Sequence, residues 1–294
     1  MSDQEPAASI THAAVLGSGT MGHGIAQVLA MSGIETCLYD ISEDAVVTGL
    51  AKVSANLEKG VARGKVTTDE RKAAVARLCG AADLDRAIEN VQVVIEAVPE
   101  RMELKTGLFG ELGAKLGADV VLATNTSSLS IAAIADATEH PERVVGMHFF
   151  NPVHIMKLVE VVRTERTSEA AAQMALSLAR RMGKEPIDVR DAPGFASSRL
   201  GIAIGMEAIR MVEENVASAE DIDKAMTLGY GFPMGPLKLT DLVGLDVRLA
   251  IAEYLSSELG ERFTPPQLLR QMVERGELGK KSGKGFYDWE ATGA

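Results

Sequence analysis

Residues able to move a proton fall close together in the middle of the chain. His148 stands near the end of the apolar run 144–149, and twelve residues on Glu160 interrupts an equally apolar run between Val159 and Val161. A carboxylate in such a strand carries a desolvation cost unless it is paired. If neighbouring strands bring the two together, the carboxylate binds one imidazole nitrogen and sets the tautomer, and the other nitrogen can take or give a proton. Ser127, in Asn125-Thr126-Ser127-Ser128 after a short apolar run, can hydrogen-bond the reacting oxygen. Taken alone, His148 reads equally well as a core histidine with its hydrogen bonds met; Glu160 and a nucleotide loop in the same half of the chain favour chemistry. His12, His23, His140 and His154 show no metal-ligand spacing, and no metal site is expected. No serine has glycine at both −2 and +2, so a hydrolase elbow is missing.

The nucleotide loop is Gly17-Ser18-Gly19-Thr20-Met21-Gly22, a G-x-G-x-x-G that follows an apolar strand and opens a helix. The first glycine makes the tight turn, the second lets a pyrophosphate approach the backbone, and the third lets helix and strand pack closely. The helix start then offers N–H groups to the phosphates. Asp40 lies eighteen residues after Gly22, where a carboxylate accepts both ribose hydroxyls and repels a 2′-phosphate. No Arg follows it in Ile41-Ser42-Glu43, so NAD is expected rather than NADP. The alternative is an Asp that only caps the next helix.

These groups need elements to hold them. Runs at 13–16, 35–39, 91–97, 120–123, 144–149, 157–162 and 186–189 read as strands, with helices at 22–32, 43–60, 68–79, 100–117 and 168–182. The alternation specifies an α/β fold, a Rossmann-type doubly wound and mostly parallel sheet. The long stretch 43–90 is expected to project two antiparallel helices from it. Asp191-Ala192-Pro193-Gly194 ends the alternation, so residues 1–192 form the NAD-binding domain and 193–294 an all-α C-terminal domain with helices at 198–214, 218–228, 236–259 and 265–275.

Across 294 residues, 46% are hydrophobic and 41 acids face 30 bases, a net charge of −11. That supports a substantial core, disfavours disorder and makes nucleic-acid binding unexpected. No apolar run reaches the roughly 20 residues of a membrane span, and the first nine residues do not read as a secretory signal. A cytoplasmic protein without membrane contact is expected. Cys37 and Cys79 form no C-x-x-C pair and read as buried thiols.

Together these residues resemble the L-3-hydroxyacyl-CoA dehydrogenase family, most nearly its bacterial 3-hydroxybutyryl-CoA branch. The likeness runs from about Ile10 to Trp289. It is carried by the glycine loop, Ile95-Glu96-Ala97-Val98-Pro99-Glu100, Asn125-Thr126-Ser127-Ser128, His148-Phe149-Phe150-Asn151-Pro152, Pro193-Gly194-Phe195, Pro233-Met234-Gly235-Pro236 and Gly279-Lys280-Lys281-Ser282-Gly283.

The resemblance implies NAD-dependent, reversible oxidation of a (3S)-3-hydroxyacyl-CoA thioester. It implies His148 as acid/base, Glu160 as its orienting partner, Ser127 on the substrate oxygen and Asn151 beside the nicotinamide. It further implies Glu100, Lys105 and Lys281 at NAD, Lys59 and Arg63 at the CoA phosphates, and a homodimer formed through the helical domain. Read without the family, Glu100 and Lys105 are ordinary helix charges, and Lys59 and Arg63 a solvated face. The chain departs from the family at Ser198, where an Asn thought to help position the reacting carbonyl is usual; a helix cap is the other reading of that serine. A dehydrogenase for free hydroxy acids and a non-catalytic dinucleotide-binding protein are the alternatives.

Overall fold

The structure, a computed structural model, describes residues 6–289. They gather into two compact units that divide between Ala192 and Pro193.

In the first unit β1 (His12–Leu16), α1 (Gly22–Met31), β2 (Glu35–Tyr39), α2 (Glu43–Ala62), α3 (Thr68–Ala76), β3 (Leu78–Ala81) and α4 (Leu84–Ala87) come first. They are followed by β4 (Val93–Glu96), α5 (Met102–Lys115), β5 (Val121–Thr124), α6 (Ile131–Ala135), β6 (Val144–Phe149), β7 (Leu158–Arg163), α7 (Glu169–Arg181) and β8 (Glu185–Arg190). Among the described residues these strands form one sheet in the order β3-β2-β1-β4-β5-β6-β7-β8. Each neighbouring pair is parallel except β6 and β7.

The central strands β4, β5 and β6 are buried at every residue. That is why they read as continuous apolar runs: helices cover both faces of a parallel sheet. The chain reverses sides between β1 and β4, and the crevice at such a switch point is where an open α/β sheet binds its ligands. Ser42 caps α2, with Glu43 and Asp44 in its first turn where the helix dipole favours acids. Thr67 and Glu70 form a capping box on α3.

Two elements of this unit differ from the sequence reading. The helix expected to run to 79 stops at Ala76, and Leu78–Ala81 adds an edge strand to β2. That strand is short and carries no β-branched residue; the open edge of β2 recruits it rather than its own propensity. Nor do α2 and α3 project freely, because Val53, Leu57 and Ala74 close a small core with Ala30 of α1.

The second unit is helical: α8 (Ser197–Glu213), α9 (Ala219–Lys224), α10 (Pro236–Val243), α11 (Leu245–Leu259) and α12 (Gln267–Glu274). The single helix expected over 236–259 is broken at Gly244, whose φ of +105° no helix accommodates. Two buried aspartates tie this unit together. Asp223 accepts from the Leu237 and Lys238 amides, and Asp241 from the Phe286 and Tyr287 amides and the Trp289 indole. Among the described residues no helix is long and apolar enough to cross a membrane.

Candidate functional site

The glycine loop follows β1. Gly17 turns the chain at φ +103° and donates its N–H to Tyr39 O at 2.8 Å. A Cβ at Gly17 would stand 2.6 Å from Ala97 O, and one at Gly22 would stand 1.6 Å from Gly17 O. Both positions are closed to any side chain by the protein's own backbone. At Gly19 a Cβ would meet nothing within 4 Å, so open space lies over the middle glycine. Thr20 and Met21 lead into α1, where Met21 at the N-cap makes no side-chain cap bond and the His23 amide donates to Gly19 O at 3.3 Å; the start of a helix carries amides that a ligand can use.

Asp40, just past β2, turns back onto this loop. Its Oδ2 accepts from the Ser18 amide at 2.9 Å and hydroxyl at 2.8 Å, and its Oδ1 from the Ile41 amide at 2.9 Å. The following helix is capped by Ser42 instead, so Asp40 is not that helix's cap. A glycine loop with open space above its second glycine, a helix start and an aimed carboxylate fit a dinucleotide.

A buried charge network fastens the next two strand ends. Lys105 and Glu96 have no exposed side-chain area, and Lys105 Nζ lies 2.7 and 2.9 Å from the Glu96 oxygens. Glu96 also accepts from Thr124 Oγ1 at 2.6 Å and from the Val98 amide at 2.7 Å. From the same ammonium, Glu100 Oε2 is 3.3 Å away, and Glu100 Oε1 accepts from Thr126 Oγ1, the Ser127 amide and Ser127 Oγ at 2.6, 2.8 and 3.1 Å. Lys105, expected at the cofactor, is therefore inaccessible; its charge reaches the Ser127 loop through Glu100.

Across β6 and β7, His148 and Glu160 are direct register partners, and Nδ1 lies 2.7 Å from Oε2. Glu160 is fully buried and His148 nearly so. A proton carried on Nδ1 is held by the carboxylate, which leaves Nε2 as the position for proton exchange. The Phe150 ring packs against the imidazole at a centroid distance of 4.5 Å. Asn125 Oδ1 accepts from the Phe149 amide at 2.9 Å, tying the end of β5 to the end of β6. Asn151 lies two residues beyond this strand end, exposed.

Lys59 in the last turn of α2 and Arg63 at its C-cap line a cavity of about 670 Å³ together with Lys65, Arg181 and Lys184, and no carboxylate lines it. In the helical unit, Lys281 pairs with Asp246 at 2.5 and 2.6 Å. Ser198 lies in the first turn of α8, whose N-cap is Ala196 without a side-chain cap bond. The cap reading of Ser198 is thereby corrected.

The family model described as "3-hydroxyacyl-CoA dehydrogenase, NAD binding domain" matches residues 12–192, and "3-hydroxyacyl-CoA dehydrogenase, C-terminal domain" matches residues 194–289. The chain belongs to the 3-hydroxyacyl-CoA dehydrogenase family. It is 44% identical to a 3-hydroxybutyryl-CoA dehydrogenase of Mycobacterium tuberculosis over 96% of this chain and 99% of that one. Against a 3-hydroxybutyryl-CoA dehydrogenase of Clostridioides difficile the identity is 42%, over 94% and 98%. The crystal structure of (S)-3-hydroxybutyryl-CoA dehydrogenase from Ralstonia eutropha superposes with a TM-score of 0.92 at 39% identity, covering 96% of this chain and 99% of that chain.

In this 3-hydroxyacyl-CoA dehydrogenase the sequence reading passed over the groups that hold the functional ones. Glu96, Thr124 and Thr126 fasten Glu100 and Ser127, Ser18 aims Asp40, and Asn125 aligns the His148 strand. One signal was present: a Glu ending the apolar run 93–96, with a Lys nine residues on, asks for a buried pair.

Proposed function

We propose that the protein catalyses the reversible oxidation of short-chain (3S)-3-hydroxyacyl-CoA thioesters, 3-hydroxybutyryl-CoA foremost, in the cytoplasm. The observation that carries this reading is the 2.7 Å contact between His148 Nδ1 and Glu160 Oε2, beside a dinucleotide loop in one domain. NAD, when bound, supplies the acceptor for the hydride from the alcohol carbon. His148 Nε2 takes the hydroxyl proton as that hydride leaves, and Glu160 stabilises the imidazolium that results. In reduction His148 returns the proton. Ser127 hydrogen-bonds the substrate oxygen, and Asn151 orients the nicotinamide. Gly17, Gly19, Thr20, Met21 and Gly22 receive the pyrophosphate, Asp40 the ribose, and Glu100 and Lys281 further parts of the cofactor. Ser198 assists in placing the thioester.

Lys59 and Arg63 hold the CoA phosphates, which an acidic protein can accept only at a local basic surface. The cavity they line, with its other cations and no carboxylate, supports that role. Homodimerisation through the helical domain accounts for Leu200, Leu228 and Tyr230, which are 64%, 84% and 78% exposed.

A panel of 3-oxoacyl-CoA thioesters of rising chain length, with free acetoacetate as control, tests the reading by loss of NADH absorbance. The highest kcat/KM is expected with acetoacetyl-CoA and negligible turnover with acetoacetate. Equal turnover of the free acid would favour a hydroxy-acid dehydrogenase, and no turnover of any thioester a dinucleotide-binding protein without catalysis.

A further inference from the structure

At the outer edge of the sheet, away from the proton-transfer pair, β3 lies beside β2 with Cys37 and Cys79 directly opposite each other. Paired residues of adjacent strands send their side chains to the same face, so the two thiols are neighbours. Cys37 is buried among Ala81, Ala87 and Tyr39. Cys79, expected from the sequence to be buried as well, is exposed because β3 is an edge strand. Both line a surface cavity of about 380 Å³ whose wall also carries Arg77 and Arg86 together with Glu35, Glu89 and His12.

The pair is asymmetric. The neighbouring Cys37 thiol, aided by the Arg86 charge, brings Cys79 down to about 7, with partial desolvation and the Glu35 carboxylate opposing. The same proximity of the two sulfurs, with burial, pushes Cys37 upward. The exposed sulfur, shifted toward the thiolate, is the one placed to attack, and the buried sulfur opposite it in register is the one placed to resolve. Adjacent strands run about 4.7–4.9 Å apart, inside the roughly 4.4–6.8 Å Cα separation that a disulfide spans.

We propose that Cys79 and Cys37 form a peroxide-reactive dithiol that closes to an intramolecular disulfide across β2 and β3. The Cys79 thiolate attacks the terminal oxygen of a hydroperoxide; an S–O bond forms, the O–O bond breaks, and the alkoxide leaves and is protonated to the alcohol. Cys37 then attacks the sulfenic sulfur, forming S–S and breaking S–O, and its proton leaves with the hydroxyl as water. Two thiols lose two electrons and two protons, and one hydroperoxide becomes an alcohol and water. Neither cysteine belongs to the dinucleotide loop, the charge network or the His148 pair, so the reduced Cys79→Ser protein should retain its basal activity.

The test exposes the reduced full-length protein to hydrogen peroxide and follows thiol titre, intact mass and migration on a non-reducing gel. Titratable thiols should fall from two to none, with a mass loss of two hydrogens, monomeric migration and full recovery in dithiothreitol. In Cys37→Ala or Cys37→Ser, Cys79 should stop at a sulfenic acid that dimedone traps, and in Cys79→Ser the thiol loss at pH 7 should slow by at least about tenfold. The wild-type rate should climb between pH 6 and 8, below the roughly 8.5 of an ordinary thiol. Thiols that survive peroxide, over-oxidation of Cys79 in the wild type, or disulfides only between molecules would overturn the proposal.

Discussion

Nδ1 of His148 and Oε2 of Glu160 stand 2.7 Å apart because the two residues occupy directly opposed positions of the antiparallel β6–β7 pair. A slip of one residue in that register would send Glu160 to the opposite face of the sheet and leave a buried carboxylate unpaired. Replacing His148 with Gln should lower kcat by on the order of 10²–10⁴, the usual contribution of a positioned acid/base. Glu160→Gln should fold and lose much of the same activity, since the imidazolium loses its counter-charge. Near-normal turnover in folded His148→Gln protein would remove the pair from the mechanism.

Asp40 is held to the glycine loop by the Ser18 amide and hydroxyl, so in the proposed cofactor site its charge is fixed where a 2′-phosphate would fall. The wild type should strongly prefer NADH to NADPH, and Asp40→Ala should narrow that preference. Steady-state rates with both cofactors decide it; equal wild-type rates would refute the role of Asp40.

The Lys105–Glu96 pair is fully buried. Lys105→Met strands the Glu96 charge and should cost about 3–5 kcal/mol in urea unfolding, whereas Lys105→Met with Glu96→Gln should recover much of that loss. Equal destabilisation by the single and double variants would show that the charges are not coupled.

Phosphate contacts are made in ground and transition state alike. Removing Lys59 and Arg63 together should therefore raise KM for acetoacetyl-CoA and spare kcat. The difference should shrink in high salt as screening weakens the wild-type attraction. An unchanged KM would put the CoA phosphates elsewhere.

Ser198 can donate one hydrogen bond from the first turn of α8. Ser198→Ala should lower kcat/KM about tenfold, in keeping with roughly 0.5–1.5 kcal/mol for a neutral hydrogen bond, and Ser198→Asn should shift the preference among acyl chain lengths. Wild-type kinetics in both variants across the thioester panel would exclude a role at the substrate.

The sequence by itself determined the class of fold, the glycine loop with Asp40, and the candidates His148 and Glu160. Those features are local: apolar runs of strand length, glycines at turn spacing, and polar residues conspicuous in apolar surroundings. Only the tertiary structure decided which groups meet. Leu78–Ala81 is a strand because β2 offers it an edge, and no local propensity announces that. Lys105 is buried because Glu96, on the preceding strand, and Thr124, on the neighbouring one, converge with it. Likewise Cys37 and Cys79, forty-two residues apart in the chain, become neighbours through strand register. A hydrogen bond or ion pair depends on a separation of a few ångströms, and for residues on different elements packing sets that separation.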